Sequence, residues 1–241
     1  MSTFLSYDIE IYDDLPEERS SFDSIRPSIA AICTKEDDLE FFYDEPFMTK
    51  ETSQRLVKRM MEYQEKGIPA LTWNGLSFDF PLLANYSGMV EECGSLALNH
   101  IDMMFIVAAQ RGHYLSLNSA LAGAKLESKV HTVVLNDKTI YSDMSGKQAP
   151  ELWRKGEYDA IKTYLKGDVL QPLDLASYID LLGVINWKSK TGRQNALKTK
   201  LYTVKECLRF PLPDISWMDT PKLRTDYYSW IPKEVLEKEL T

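Results

Sequence analysis

An α/β fold is predicted, with a mixed sheet flanked by helices and a C-terminal extension beyond it. Three observations point there. Segments with strand character crowd the first third of the chain, helical segments dominate afterwards, and the charge balance changes sign near residue 184. Residues 1–183 therefore form the expected main domain and 184–241 the extension.

The elements follow in order. Phe4 to Ile11 alternates and is β-rich, so it reads as a strand. Residues 13–26 are polar, with Asp-Asp, Pro and Ser clusters, and read as a loop. Ser28 to Thr34 and Leu39 to Tyr43 read as two further strands. Thr49 or Thr52 caps a helix running to about Glu65 through Leu56, Val57, Met60 and Met61, and Gly67-Ile68-Pro69 breaks it. Ala70 to Trp73 is a short buried strand, and Phe78 to Tyr86 a helix stopped by Gly88. Ile101 to Ala109 is apolar without a clear period. Ser116 caps a helix to Ala124, and 127–149 is irregular or lid-like. Pro150 starts a short helix through Trp153. A long helix spans Tyr158 to Leu182 and is expected to kink at Pro172.

The totals exclude several classes. A chain of 241 residues with 44% hydrophobic and 27% charged residues has material for a core without disulfides. Cys33, Cys93 and Cys207 are scattered and odd in number, which suggests neither a zinc site nor a disulfide framework. A reducing, cytoplasmic or nucleoid-associated setting is expected. The N-terminus lacks the basic and apolar regions of a secretory signal, and no apolar run reaches the ~18 residues of a membrane span. Net charge is −8, but 184–241 carries 11 Lys+Arg against 7 Asp+Glu, and 1–183 carries 17 against 29. An acidic protein can still bind nucleic acid where cations offset its carboxylates.

Four acids in three short motifs carry the chemistry. Asp8 and Glu10 are two apart on the first strand and so share a face. Neighbouring carboxylates repel, and a bound cation relieves that cost. For an isolated D-x-E, a solvent-facing acidic strand is the better reading. Here Tyr7, Ile9 and Ile11 fill the alternate positions, as in a half-buried strand whose other face is acidic. Asp79 ends Asn74-Gly75-Leu76-Ser77-Phe78-Asp79, a strand-to-turn-to-helix passage at the carboxyl end of a strand, where open sheets often bind ligands. Asn74 is placed to hydrogen-bond and Phe78 to pack on a base, although Asn-Gly is also an ordinary turn. Tyr164 and Asp168 are four apart on one helix face. Asp174 competes for that acidic role, and the spacing from Tyr164 favours Asp168. Asp102 and Asp143 are further acids that nothing fixes near the site. His100, His113 and His131 are scattered and expected to be structural or exposed.

Taken together, Asp8-x-Glu10, Asn74-x-x-x-Phe78-Asp79 and Tyr164-x-x-x-Asp168 resemble, in order, the three motifs of the DEDD 3′–5′ exonuclease superfamily. Tyr164 marks likeness to its DEDDy branch, and the closest likeness is to exonuclease-domain-only members that resemble family B DNA polymerase proofreading domains. The resemblance covers about residues 3–182. Ile11 stands where many relatives carry Thr, and no polymerase domain fits in this length. The resemblance implies an RNase H-like fold and a metal-dependent 3′–5′ exonuclease. It further implies two Mg²⁺ or Mn²⁺ ions held by Asp8, Glu10, Asp79 and Asp168, a water oriented by Tyr164, and release of nucleoside 5′-monophosphates. Ile9, Asn74 and Phe78 become the candidates to grip the terminal nucleotide of a nucleic acid, with single-stranded DNA favoured and RNA possible.

Residues 184–210 hold seven basic residues and one acid, Glu206. Around Trp187, Lys188, Lys190 and Arg193 they suit a phosphate contact, though a solvated loop between helices explains each single charge as well. Tyr227, Tyr228 and Trp230 either pack on the main domain or meet another copy. A replication or repair partner docking on 184–241 is a further expectation. Three rival readings keep the same fold: a catalytically inactive nucleic-acid-binding module, an interaction subunit of a replication or repair complex, and an endonuclease.

Overall fold

The first strand lies at the middle of the main sheet. A computed structural model of the protein describes residues 3–15, 22, 24–127, 132–135, 139–142, 144–189 and 191–241. His131, Asp143 and Lys190 lie outside the described residues.

The elements run β1 (Leu5–Ile11), β2 (Pro27–Cys33), β3 (Glu40–Tyr43), α1 (Lys50–Glu65), β4 (Ala70–Thr72), α2 (Asp79–Ser87), α3 (Val90–Asn99), β5 (Ile101–Asp102) and α4 (Met103–Arg111). They continue with α5 (Leu117–Ala124), β6 (Val133–Val134), β7 (Ile140–Tyr141), α6 (Ala149–Arg154), α7 (Tyr158–Leu182), β8 (Val184–Lys188), β9 (Gln194–Lys198), α8 (Val204–Cys207) and α9 (Lys233–Leu240). The main sheet has five strands in the order β3-β2-β1-β4-β5. Its first three strands pair antiparallel, and β1, β4 and β5 pair parallel. This is the mixed α/β sheet the sequence predicts.

The expected half-buried first strand is instead buried on both faces. Tyr7, Ile9 and Ile11 belong to the main core with α1 to α4. On the other face the register sets Asp8 beside Ala31 and Glu10 beside Ile29. Ala31 and Ile29 belong to a second apolar cluster built with Trp153 of α6 and with Ala160, Ile161, Tyr164, Leu165 and Val169 of α7. The carboxylates thus sit between sheet and helix, where an uncompensated charge is costly.

Local signals account for most boundaries. The Thr49 hydroxyl caps α1 by accepting the Thr52 N–H at 3.2 Å. Ser116 does the same for α5 with Ser119. Gly183 closes α7 in the left-handed conformation, φ 65°, a position that favours glycine. The 25-residue α7 contains Pro172, as expected.

Other elements were harder to see. Ile101 to Ala109 splits into a two-residue strand and a helix, because Asp102 turns the chain by capping α4. The helix α3 contains Gly94, and a β-carbon there would lie 3.1 Å from Ile231 and 3.3 Å from Val235. The missing side chain weakens the helical pattern and admits α9. Val184–Lys188 and Gln194–Lys198 pair as an antiparallel β-hairpin, where a loop between helices was the other reading. It lies so close on α5 that a β-carbon at Gly123 would overlap the Asn186 carbonyl. Trp187, Leu197, Val204, Cys207, Tyr227, Ile231 and Val235 all enter the main core, so the aromatic Tyr227 packs on the main domain. No helix of the described residues is long and apolar enough to cross a membrane.

Candidate metal centre

Three of the four motif acids meet. Asp8, Glu10 and Asp168 each offer a carboxylate oxygen, and these oxygens lie within 4.8 Å of one another. The strand supplies two because residues two apart share a face. The helix supplies the third from a buried stripe that runs Ile161, Tyr164, Leu165, Asp168, Pro172, Leu175 and Ile179. A carboxylate replaces an apolar residue in the middle of that stripe. Glu10 and Asp168 are each only 6% exposed, and Asp8 is the half-buried member.

Asp79 stands outside that trio and against Asp8. It opens α2, where the helix N-terminus favours a negative charge. Burial pushes its carboxyl up to about 7, and the Asp102 charge adds to the rise; hydrogen bonding from its own backbone, from Ile9 and from Asp8 opposes it. One of its oxygens, Oδ1, is buried and accepts no hydrogen bond among the described residues. Three carboxylates that meet, with a fourth against Asp8 carrying that buried, unpartnered oxygen, fit a hard, oxygen-preferring divalent cation. Soft metals are a poorer match, since among the described residues neither histidine nor cysteine joins the group.

The turn that carries Asp79 is tightly built. Asp102 accepts N–H groups from Asn74 at 2.9 Å, Leu76 at 3.0 Å and Phe105 at 3.0 Å. Thr72 Oγ1 accepts the Gly75 N–H at 3.1 Å and meets His100 Nε2 at 3.1 Å. A β-carbon at Gly75 would sit 2.5 Å from Thr72 Oγ1, so only glycine fits. The Tyr7 hydroxyl donates to the Asp79 carbonyl at 3.4 Å, and its ring lies edge-on to Phe80 at 5.5 Å.

The remaining sequence candidates are placed as follows. Tyr164 lies one turn before Asp168 and is fully buried in the second cluster. Ile9 separates Asp8 from Glu10, but its side chain is 3% exposed and belongs to the main core. Asn74 and Phe78 both line a cleft of about 1040 Å³ next to Asp79. Asn74 takes a left-handed backbone, φ 75°, and its Oδ1 accepts the Ser77 hydroxyl at 2.8 Å. Phe78 packs edge-on to Phe22 at 5.7 Å. Asp174 is partly buried, and burial with the Glu127 charge raises its pKa; it is not among the acids that meet.

Sequence reasoning undervalued Asp102. It is the one charged residue in Ile101–Ala109, and that isolation was the available signal. Gly146 was also missed: a β-carbon there would lie 3.9 Å from Glu10 Oε2, so the segment before α6 passes beside the site.

A family described as predicted 3′–5′ exonucleases related to the exonuclease domain of PolB matches residues 26–178. The matched span contains Asp79, Tyr164 and Asp168, while Asp8 and Glu10 precede it. No curated protein matches. Among solved structures, the family B DNA polymerase of the hyperthermophilic archaeon Pyrobaculum calidifontis is similar in fold, with a TM-score of 0.53 at 16% identity. The similarity covers 74% of this chain and 24% of the polymerase chain, so the protein spans about a quarter of that enzyme's length. With its family match over more than half the sequence, the chain belongs to the family of predicted 3′–5′ exonucleases related to the PolB exonuclease domain.

Proposed function

We propose that the protein is a 3′–5′ exonuclease that shortens a nucleic-acid strand one nucleoside 5′-monophosphate at a time, with single-stranded DNA the favoured substrate. The observation that carries this reading is the meeting of Asp8, Glu10 and Asp168 within 4.8 Å, with Asp79 against Asp8. Buried carboxylates so close repel unless cations join them. Asp8, Glu10, Asp79 and Asp168 would hold two Mg²⁺ or Mn²⁺ ions. Bound there, such ions supply neutralisation of phosphate charge and a lower pKa for water.

The chain's own residues do the rest. Tyr164 orients the attacking water; a phenol's pKa of about 10 makes it a poor base near neutrality. The Asn74 amide nitrogen is left to donate to the terminal nucleotide, since its oxygen is engaged by Ser77. Phe78 offers a ring against the terminal base. Ile9 contributes through its backbone, because its side chain faces the core.

The test is a Mg²⁺ and Mn²⁺ time course on 5′-labelled single-stranded DNA, duplex DNA and RNA, beside Asp8→Ala. A ladder shrinking from the 3′ end, lost in the variant, supports the reading. Wild-type rates in Asp8→Ala would overturn the site, and cleavage of a closed circle would identify an endonuclease instead.

A further inference from the structure

The cleft that Asn74 and Phe78 enter is completed from far along the sequence. Its opposite wall comes from Tyr114, before α5, and from Lys222 and Trp230 of the extension. Lys222 and Trp230 fall outside the span matched by the exonuclease family. We infer that this cleft holds the unpaired strand behind the scissile phosphate, with Tyr114 and Trp230 as stacking faces and Lys222 as a phosphate contact. The inference rests on the proposed exonuclease reading and names the part of the strand that reading leaves unplaced.

Three features carry it. The first is continuity: Asn74, Ser77 and Phe78 line the cleft, and the next residue is Asp79. The cleft thus begins at the turn that carries Asp79, on the path open to a strand whose end lies at the carboxylates. The second is preorganisation. Trp230 Nε1 donates to the Leu76 carbonyl at 2.8 Å, which pins the indole to the turn bearing Asp79. Tyr114 is 52% exposed, and its ring meets Tyr227 at 5.6 Å. Aromatic faces held in place stack on any unpaired base, whereas a duplex hides those faces.

The third is charge. The Lys222 ammonium lies 4.0 Å from the Tyr227 ring centre and 5.4 Å from that of Tyr114. It makes no ion pair among the described residues. Asp226 also lines the cleft, but its carboxylate is engaged by the Leu223 N–H at 2.8 Å. A cation held over rings at the edge of an aromatic cleft suits a backbone phosphate between stacked bases.

The experiment measures binding and turnover separately. Anisotropy of a fluorescein-labelled oligothymidylate, with Ca²⁺ as the cation, reads affinity without requiring cleavage. Tyr114→Ala and Lys222→Glu each weaken that binding about ten-fold, and Trp230→Phe preserves packing while releasing the bond to Leu76. In Mg²⁺ the loss falls on KM rather than kcat, and the deficit grows with strand length. Lys222→Glu also flattens the salt dependence of binding. Unchanged affinity and KM in Tyr114→Ala and Lys222→Glu would overturn the inference, as would equal affinity for duplex and single strand. Should the wild type shorten no strand while the variants still lose binding, the exonuclease reading fails and the cleft assignment stands.

Discussion

The Asp102 carboxylate accepts the Asn74 N–H at 2.9 Å, and through it one buried acid outside the metal cluster fixes the turn that presents Asp79. The same carboxylate holds Leu76 and caps α4 at Phe105. It is 1% exposed, and its bonds to the Leu76 and Phe105 N–H groups are buried, so these two donors have no water as a substitute. Replacing it with Ala strands several buried N–H groups, each worth roughly 1–3 kcal/mol when unsatisfied. Asp102→Ala is expected to lose about 3 kcal/mol in urea unfolding, with nuclease activity falling further than stability explains. Asp102→Asn, which keeps one acceptor oxygen, loses less.

Gly75 tests the same turn from the other side. A β-carbon there would lie 2.5 to 2.7 Å from three atoms of Thr72, a β-branched side chain with little freedom to move. Gly75→Ala should cost about 1–3 kcal/mol, the usual range for overpacking. Since Thr72 also meets His100, the strain passes into the core. Gly75→Ala paired with Thr72→Ser, which removes the methyl group, should recover part of the loss. Equal stability of Gly75→Ala and wild type would mean the turn is looser than its geometry.

The carboxylate cluster predicts opposite responses with and without cation. Without it, Asp8, Glu10 and Asp168 repel across less than 4.8 Å. Asp168→Asn should therefore raise the melting temperature in EDTA. With Mn²⁺ the wild type gains stability by mass action, about 2.7 kcal/mol at a hundred times Kd, and Asp168→Asn gains far less. The two melting curves cross as the metal is titrated in. Parallel curves for the two proteins would remove Asp168 from the ligand set.

Tyr164 separates water orientation from metal holding. It lies one helical turn before Asp168, yet its ring belongs to an apolar cluster with Trp153, Ile161 and Leu165. Tyr164→Phe retains that packing. Its expected phenotype is a fall in kcat of about 10²-fold, the scale of a misplaced reacting group, with the Mn²⁺-dependent rise in melting temperature intact. A matching loss of that rise would recast Tyr164 as a residue that shapes the metal centre.

How much of this was legible depended on the range of the signals. Helix caps at Thr49 and Ser116, and the i, i+4 pair Tyr164 and Asp168, are local, and the chain states them directly. The mixed sheet follows from a few alternating runs. What stayed hidden depends on distant partners. Gly94 looks like a helix breaker until Ile231 and Val235 fill its space. Trp230 stays without an assigned place until it bonds to Leu76 across the fold. Asp8 and Glu10 were expected on an open face, because nothing near them in sequence announces that α7 will cover it.

His100 gives a pH dependence whose direction follows from its burial. The ring is fully enclosed, meets Thr72 Oγ1 and the Ala97 carbonyl, and packs 4.6 Å from Phe80. Burial pushes its pKa down, and the Asp102 charge and the Ala97 carbonyl only partly oppose that. The imidazole therefore stays neutral in the fold at pH values where the unfolded chain, with a pKa of about 6.5, takes up a proton. The unfolded state then binds more protons, so stability falls as pH drops through about 6.5 toward the lower folded value, and is fully present above it. Asp79, pushed up to about 7, acts in the opposite direction over the same window, so the His100 effect is read in urea unfolding as the difference between wild type and His100→Asn, which narrows from pH 8 to pH 5.5 while the variant stays the less stable. The paired measurement matters because Asp13, Asp38, Asp44 and Glu239, all held below their ordinary values, lose their stabilisation only as pH falls further, through the carboxylate range. A wild-type and His100→Asn difference that stays constant between pH 8 and pH 5.5 would show that His100 is not the group taking up the proton on unfolding.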